Sequence, residues 1–486
     1  MGDAPAPREG RRLGALLALL AVVVLAAIPL RVVGYGWLPR DDVRRHAAKV
    51  VSGKEWPEIL VLRPEARVDE HPGWHGILGA AHALGVETPR GLAVVAIVLA
   101  GTCFLVAPLV GFARPEAWLA ALAVAALFEP GFFHRVLSGR PLVLAMAVLA
   151  VLAATWTRFR SERVPWGAWT GLAALFALAV WVHGGWYLWL LPLAALFAAR
   201  EGRAGARIAA AFAVGALAGA CASGHPVAFL GQAIAHLFWA FATSDLQAQL
   251  ATEFQPGQPG AAWILAVAGI LVWRRGRMGT RPLADPVFLI ALAGWTLGLH
   301  VSRFWTDWGL PATCVWMAMC LQEALAADRR PSTRILATAF AASVLFLAVT
   351  GNRGDRWSSR EGDRHLSLAD PVLRPWLPAP GGILYSNSMG VFYDTFFENP
   401  GAPWRYLVGF EPGMMPPAEL AVFRGIQSAF AADAAFRPWV AELKPEDRLV
   451  VARAAGPAPA IPELEWYSPF AGVWIGRPPV RPALAP

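Results

Sequence analysis

Near the N-terminus, Asp41-Asp42-Val43-Arg44-Arg45-His46 sets two adjacent carboxylates beside two guanidiniums and an imidazole. The cluster follows an apolar run, residues 12–33, almost directly. A carboxylate at the end of such a run is partly removed from water, which raises its basicity. Asp41 or Asp42 could then take a proton from a nucleophile, or ligate a metal or an acceptor. The same residues also have a plain structural use. Asp41 can cap a helix that Pro39 leads into, and Asp42 can pair with Arg45 or His46 at i+3 and i+4.

Two further segments carry candidate chemistry. In Ser302-Arg303-Phe304-Trp305-Thr306-Asp307-Trp308-Gly309-Leu310-Pro311, Arg303 is a lone cation suited to bidentate phosphate binding. An Arg303–Asp307 pair at i+4 is the structural alternative. Trp305 could stack on a sugar or anchor the membrane interface. In His183-Gly184-Gly185-Trp186, the glycines allow close backbone approach and His183 could reach into a cavity, or the stretch is a simple tight turn.

These residues sit in a chain that is 56% hydrophobic and only 16% charged, with a mean hydropathy of +0.46. About a quarter charged is usual for a soluble protein. The apolar residues come in blocks near the length that crosses a bilayer. Eleven such blocks can be drawn, at 12–33, 91–113, 116–129, 140–156, 165–182, 186–199, 208–223, 261–273, 286–300, 310–327 and 335–350. With the N-terminus inside, arginines gather in alternate connections. Arg114 lies in one, Arg158, Arg160 and Arg163 in the next, then Arg200, Arg203 and Arg207, then Arg274, Arg275, Arg277 and Arg281, and finally Arg329, Arg330 and Arg334. That is the positive-inside pattern. It puts residues 34–90, residues 224–260, all ten histidines and the C-terminal region on the outer face.

The expected fold class is therefore a polytopic α-helical membrane protein of about eleven transmembrane helices, with a small C-terminal extracytoplasmic α/β domain. The membrane domain spans 1–350, and the outer domain 351–486, ending in a Pro-rich tail from Arg477. Helices are expected from Asp41 to Val51 and from about Pro72 past His82, lying along the membrane surface. In the outer domain, strands are expected at 381–386, 448–452 and 472–475, and helices at 416–430 and 432–443. The charge of +8 gathers at the ends of apolar blocks, and no basic face is interleaved with aromatics, so no nucleic-acid partner is expected. Cys103, Cys221, Cys314 and Cys320 show neither disulfide nor zinc spacing. Gly-rich phosphate loops, Gly-x-Ser-x-Gly elbows and His-Glu-x-x-His motifs do not occur.

A first span, an outer loop opening on an acidic pair, many further spans and a C-terminal outer domain resemble the GT-C superfamily of polyprenyl-phosphate-dependent glycosyltransferases. Protein O-mannosyltransferases and lipid A aminoarabinose transferases are the nearest in kind. The resemblance makes Asp41 catalytic, with Asp42 as second member of the pair. It also directs attention to Glu129-Pro-Gly-Phe-Phe-His134-Arg135-Val-Leu-Ser-Gly-Arg140-Pro141. There the family supplies a second acidic residue, usually Asp; this chain has Glu129, with His134 nearby. An Arg-Pro commonly opens the next span, which makes Arg140 a phosphate contact. Glu129 and Arg140 can equally be residues flanking two spans. A late outer cation against the lipid phosphate matches Arg303.

What the resemblance implies is an inverting transferase in a bacterial inner membrane, N-terminus cytoplasmic and C-terminal domain periplasmic. It moves a sugar from a polyprenyl-phosphate donor to a lipid, glycan or protein acceptor. Asp41 acts as general base, His46 or Glu129 orients the acceptor, and Arg303 and Arg140 hold the phosphate. No cofactor is required by the residues; a divalent ion (Mg or Mn) is the one left open. A transporter or lipid flippase is the main rival, although the spans are nearly free of mid-membrane charge. A non-catalytic assembly subunit of the same fold is a third class.

Overall fold

The computed structural model describes residues 8–66, 68–246, 252–257, 267–270, 282–326, 330–358 and 365–479. The expected span at 261–273, apart from 267–270, lies outside the described residues, as do Arg274, Arg275, Arg277, Arg281, Arg329 and the tail from 480.

Among the described residues, five helices are long and apolar enough to cross a membrane: Arg12–Gly34 (within α1, Arg8–Gly34), Pro89–Gly111, Leu142–Arg160, Gly202–Ala222 and Pro331–Thr350. A sixth crossing results if Pro115–Phe128 and Pro130–Val136, bent by 112° at Glu129, count as one span. The count of about eleven spans is not confirmed among the described residues, in part for a geometric reason. Trp166–Val182, Trp186–Ala198, Pro226–Ala240 and Pro286–Gly298 are shorter apolar helices. At about 1.5 Å per residue, a helix of 13 residues covers about 20 Å of a core that is about 30 Å thick. Glycines bring some of these helices unusually close. A Cβ on Gly215 would lie 2.4 Å from the Ala173 carbonyl oxygen, and one on Gly294 would lie 2.4 Å from the Gly309 Cα.

The C-terminal domain is a five-stranded sheet in the order β2-β1-β3-β5-β4, with β1 Ile383–Ser386, β2 Arg405–Tyr406, β3 Arg448–Ala452, β4 Glu465–Phe470 and β5 Val473–Arg477. Strand β1 runs parallel to β2 and β3; β5 is antiparallel to β3 and β4. Helices Met389–Glu398 and Pro417–Ser428 pack on it.

Residues 34–90 depart from expectation. Helix α2, Asp42–Ser52, forms where the sequence places it, but it is covered by protein rather than open at a surface. Val43, Arg44, Arg45, His46, Ala47, Ala48 and Lys49 are all buried. The helix is wedged between Pro89–Val106 and Pro72–Ala83 on the bundle side and Met389–Glu398 of the C-terminal domain. Downstream, Leu60 forms a parallel bridge with Tyr406, and Trp56, Ile59 and Leu60 share a core with Leu384, Phe392, Tyr406 and Ile475. A helix covered from both sides cannot be amphipathic toward water. Its charges must therefore find partners inside the protein.

Candidate functional site

The chain enters α2 through Asp41, whose extended backbone (φ −150°, ψ −173°) makes it the N-cap; its carboxylate accepts the Asp42 N–H at 2.6 Å. Asp42 takes the Arg45 Nε–H at 2.8 Å, the expected i+3 pair, and the Tyr393 hydroxyl at 2.9 Å. Burial works against a charge on Asp42, but Arg45 and Arg140 outweigh it and hold its carboxyl well below the usual range. Burial and then Asp42 itself push the Tyr393 phenol well above its ordinary value, so Tyr393 donates. The Arg45 guanidinium lies 3.8 Å from the centre of the Phe410 ring.

From Asp41 a ladder of alternating charge crosses the end of the bundle. Arg140 grips both carboxylate oxygens of Asp41, with Nε at 2.7 Å from Oδ2, and donates through Nη1 to Glu253 at 2.8 Å. Glu253 also takes Arg135 Nη1 at 2.6 Å. Arg135 in turn clasps Asp307 with two bonds of 2.7 Å, and Arg303 reaches Asp307 at 3.2 Å. Four carboxylates (Asp41, Asp42, Glu253 and Asp307) thus face four guanidiniums (Arg45, Arg135, Arg140 and Arg303). Burial and then the two arginines Arg140 and Arg135 act in opposite directions on Glu253; the arginines prevail and hold it ionised.

Two backbone features put these side chains in place. Gly139 adopts φ +68°, and a Cβ there would sit 2.7 Å from Val43 of α2. Glycine therefore lets the Arg135–Arg140 turn press onto α2. Asp307 lies on a π-turn, Trp305–Gly309, seated against the glycine face of Pro286–Gly298.

A second cluster adjoins the first. Asp69 Oδ2 is 2.5 Å from His75 Nδ1, and His75 Nε2 is 2.8 Å from His46 Nδ1. His71 rings stand 4.9 Å from His46 and 5.5 Å from His183. The Gly184 N–H donates to the Glu70 carbonyl at 3.0 Å, drawing the His183 turn onto the first loop. Burial is the main cause that lowers His46, His71 and His183, the last to about 3; nearby Arg45 or Arg303 adds to it. Asp69 is driven the other way: His75 overcomes its burial and keeps it ionised. Beyond this cluster, His236 bridges Glu70, at 2.7 Å, and Glu411 of the C-terminal domain, at 3.3 Å.

Of the residues singled out from sequence, Asp41, Asp42, Arg140, Arg303 and Asp307 meet in the ladder, and His46 and His183 in the histidine cluster. Glu129 and His134 take no part in these bonds. Glu129 sits half-buried at the 112° bend, and His134 packs on Trp357 at 4.6 Å and Trp37 at 5.6 Å. Trp305 is 5% exposed and packs on Gly298. The structural alternatives hold as well: Asp41 is a cap, and Arg303–Asp307 is an i+4 pair.

Sequence reasoning passed over Asp69, Glu70, Glu253, Tyr393 and the clasp made by Arg135. The one signal available was isolated charge in irregular stretches between apolar blocks. Among the described residues no group of three or more His, Cys, Asp and Glu is arranged to hold a metal ion. The ladder carboxylates all face guanidiniums, a setting that does not fit a divalent cation. No protein-family model and no curated protein matches the chain.

Proposed function

We propose that the chain is an integral-membrane glycosyltransferase of GT-C type. It moves a sugar with inversion from a polyprenyl-phosphate donor to an acceptor on the outer face. The observation that carries this is the ladder. Arg135, Arg140 and Arg303 come from two separate segments to one bonded row at the junction of bundle and outer domain, and Arg303, with a third of its side chain exposed, stands at the end. Guanidiniums in such a row suit a lipid phosphate, whose negative charge grows as the sugar leaves.

Asp41 is the base in this scheme. Both its oxygens are held by Arg140, so the donor phosphate must first compete for that guanidinium. Arg140 then turns from Asp41 to the phosphate, and the freed carboxylate accepts the proton of the attacking hydroxyl or amine. Donor binding and base activation become one event. The N-terminus is cytoplasmic, the sheet domain periplasmic and the membrane the bacterial inner membrane. In support, the first outer loop and the C-terminal domain share one core and so lie on the same side.

The test is transfer of radiolabelled sugar from synthetic polyprenyl-phosphate sugars to envelope lipid, glycan and protein acceptors by purified protein in nanodiscs. Arg303→Ala is expected to raise the donor KM, and Arg140→Ala to abolish turnover. Full transfer by both variants, or no transfer by wild type with any donor, rejects the proposal.

A further inference from the structure

The Asp69–His75–His46 chain is continuous, and it runs from a partly buried carboxylate to a fully buried imidazole. Asp69 is ionised, so it accepts the Nδ1–H of His75. With His75 uncharged, its Nε2 lone pair accepts the Nδ1–H of His46 across the 2.8 Å contact. In that arrangement the remaining nitrogen of His46, Nε2, carries a lone pair. That atom is fully buried and has no hydrogen-bond partner among the described residues. Buried polar atoms are nearly always paired, and one left open at the end of an oriented chain marks a place for a donor group. A carboxylate that orients an imidazole whose far nitrogen faces a hydroxyl is the arrangement that makes histidine a general base.

We propose that Asp69, His75 and His46 form a proton relay ending on His46 Nε2, which accepts the proton of the acceptor hydroxyl or amine. The inference rests on the transfer reaction above and amends one role within it. Asp41 stays bonded to Arg140 as a positioning residue, and no exchange of partners is needed. In the step, the acceptor oxygen or nitrogen forms its bond to the anomeric carbon. The bond from that carbon to the phosphate oxygen breaks, and its electron pair leaves with the phosphate. The acceptor proton goes to His46 Nε2. The His46 Nδ1 proton can then pass to His75 Nε2, and the imidazolium so formed is bonded to the Asp69 carboxylate. Asp42 and Arg45 from α2 and His71 from the loop are the other titratable or charged groups facing His46; Tyr393 and Asp394 lie on the outer-domain helix packed against α2.

The test pairs kinetics with spectroscopy on the full-length protein in nanodiscs. His46→Gln is expected to lower kcat by about 10²–10⁴-fold, the usual contribution of a general base. Asp69→Asn, an isosteric change, should lower kcat as well, whereas Asp41→Asn should act mainly on donor KM. If Asp41→Asn removes kcat and His46→Gln leaves it within a few-fold, the relay is wrong and Asp41 is the base. Nitrogen NMR of the ¹⁵N-histidine protein, assigned with His46→Gln and His75→Gln, should show His46 protonated at Nδ1 and bare at Nε2. Asp69→Asn should convert it to a mixture. A native Nε2–H tautomer overturns the relay whatever the activity, and so does a tautomer insensitive to Asp69→Asn. This arm needs no substrate, so a protein that transfers no sugar rejects the proposed function and still decides the relay. If His46→Gln fails to fold, Asp69→Asn decides both arms: unchanged kcat with an unchanged tautomer overturns the proposal.

Discussion

Asp307→Ala is the sharpest perturbation of the ladder. The Asp307 side chain is fully buried, and it takes two bonds of 2.7 Å from Arg135 and one of 3.2 Å from Arg303. Removing one partner of a buried pair leaves the other charge uncompensated, at about 3–5 kcal/mol. Arg135 keeps Glu253 at 2.6 Å, which offsets part of this; Arg303 is a third exposed and can turn to water. A loss of about 3 kcal/mol is expected. In Asp307→Leu/Arg135→Met both charges go, Glu253 keeps Arg140 at 2.8 Å, and Trp305 and Trp308 offer an apolar surround. The double variant should therefore be within about 1 kcal/mol of wild type, since apolar replacement of a buried pair is often neutral. Coupling in the cycle would then be at least about 2 kcal/mol. Reversible unfolding by sodium dodecyl sulfate in mixed micelles, followed by tryptophan fluorescence, measures wild type, Asp307→Ala, and the Asp307→Leu, Arg135→Met and double variants that close the cycle. A single variant within about 0.5 kcal/mol of wild type, the level of an ordinary surface change, would refute the reasoning. So would additive effects in the double variant.

Two more expectations follow from the geometry. Glu70 and Glu411, against the opposing effect of burial, hold His236 well above its ordinary value of about 6.5. A raised folded pKa contributes stability that is complete below about pH 6.5 and fades as pH rises through the folded value. Wild type should lose about 1.5–3 kcal/mol on the alkaline side, the worth of a hydrogen bond to a charged group, and His236→Gln should not show that loss. A thermal melt series from pH 6 to 10 in detergent reads it; identical pH slopes would count against the bridge. At the other end of the ladder, a Cβ on Gly294 would lie 2.4 Å from the Gly309 backbone. Gly294→Ala should destabilise by about 1–3 kcal/mol through overpacking, and it should displace Asp307 from Arg135. An unchanged melting temperature would show that the two helices part freely.

Local chemistry made much of this molecule legible from the chain alone. Twenty-residue apolar blocks with arginine at alternate ends state that helices are embedded in a bilayer, because neither bare backbone nor charge is tolerated there. Pro39-Arg40-Asp41-Asp42 marks a helix start through fixed backbone preferences, and α2 begins there. Strands Ile383–Ser386 and Arg448–Ala452 follow from short β-branched and aromatic runs between turns. In each case the cause lies within a few residues of its effect. Which apolar blocks form full-length helices was not legible, because a hydropathy block does not say whether glycine and proline will shorten or bend the helix, as at Glu129. Nor were the partners. Arg140 meets Asp41 across 99 residues, Arg135 meets Asp307 across 172, and Tyr393 meets Asp42 across 351. Only the packing of α2 between bundle and sheet domain buries Asp42 and His46, and only burial obliges them to find those partners. The charges at 41–46 come from the sequence; their assembly into a ladder and a histidine chain belongs to the tertiary structure, since desolvation is a property of the place a side chain occupies.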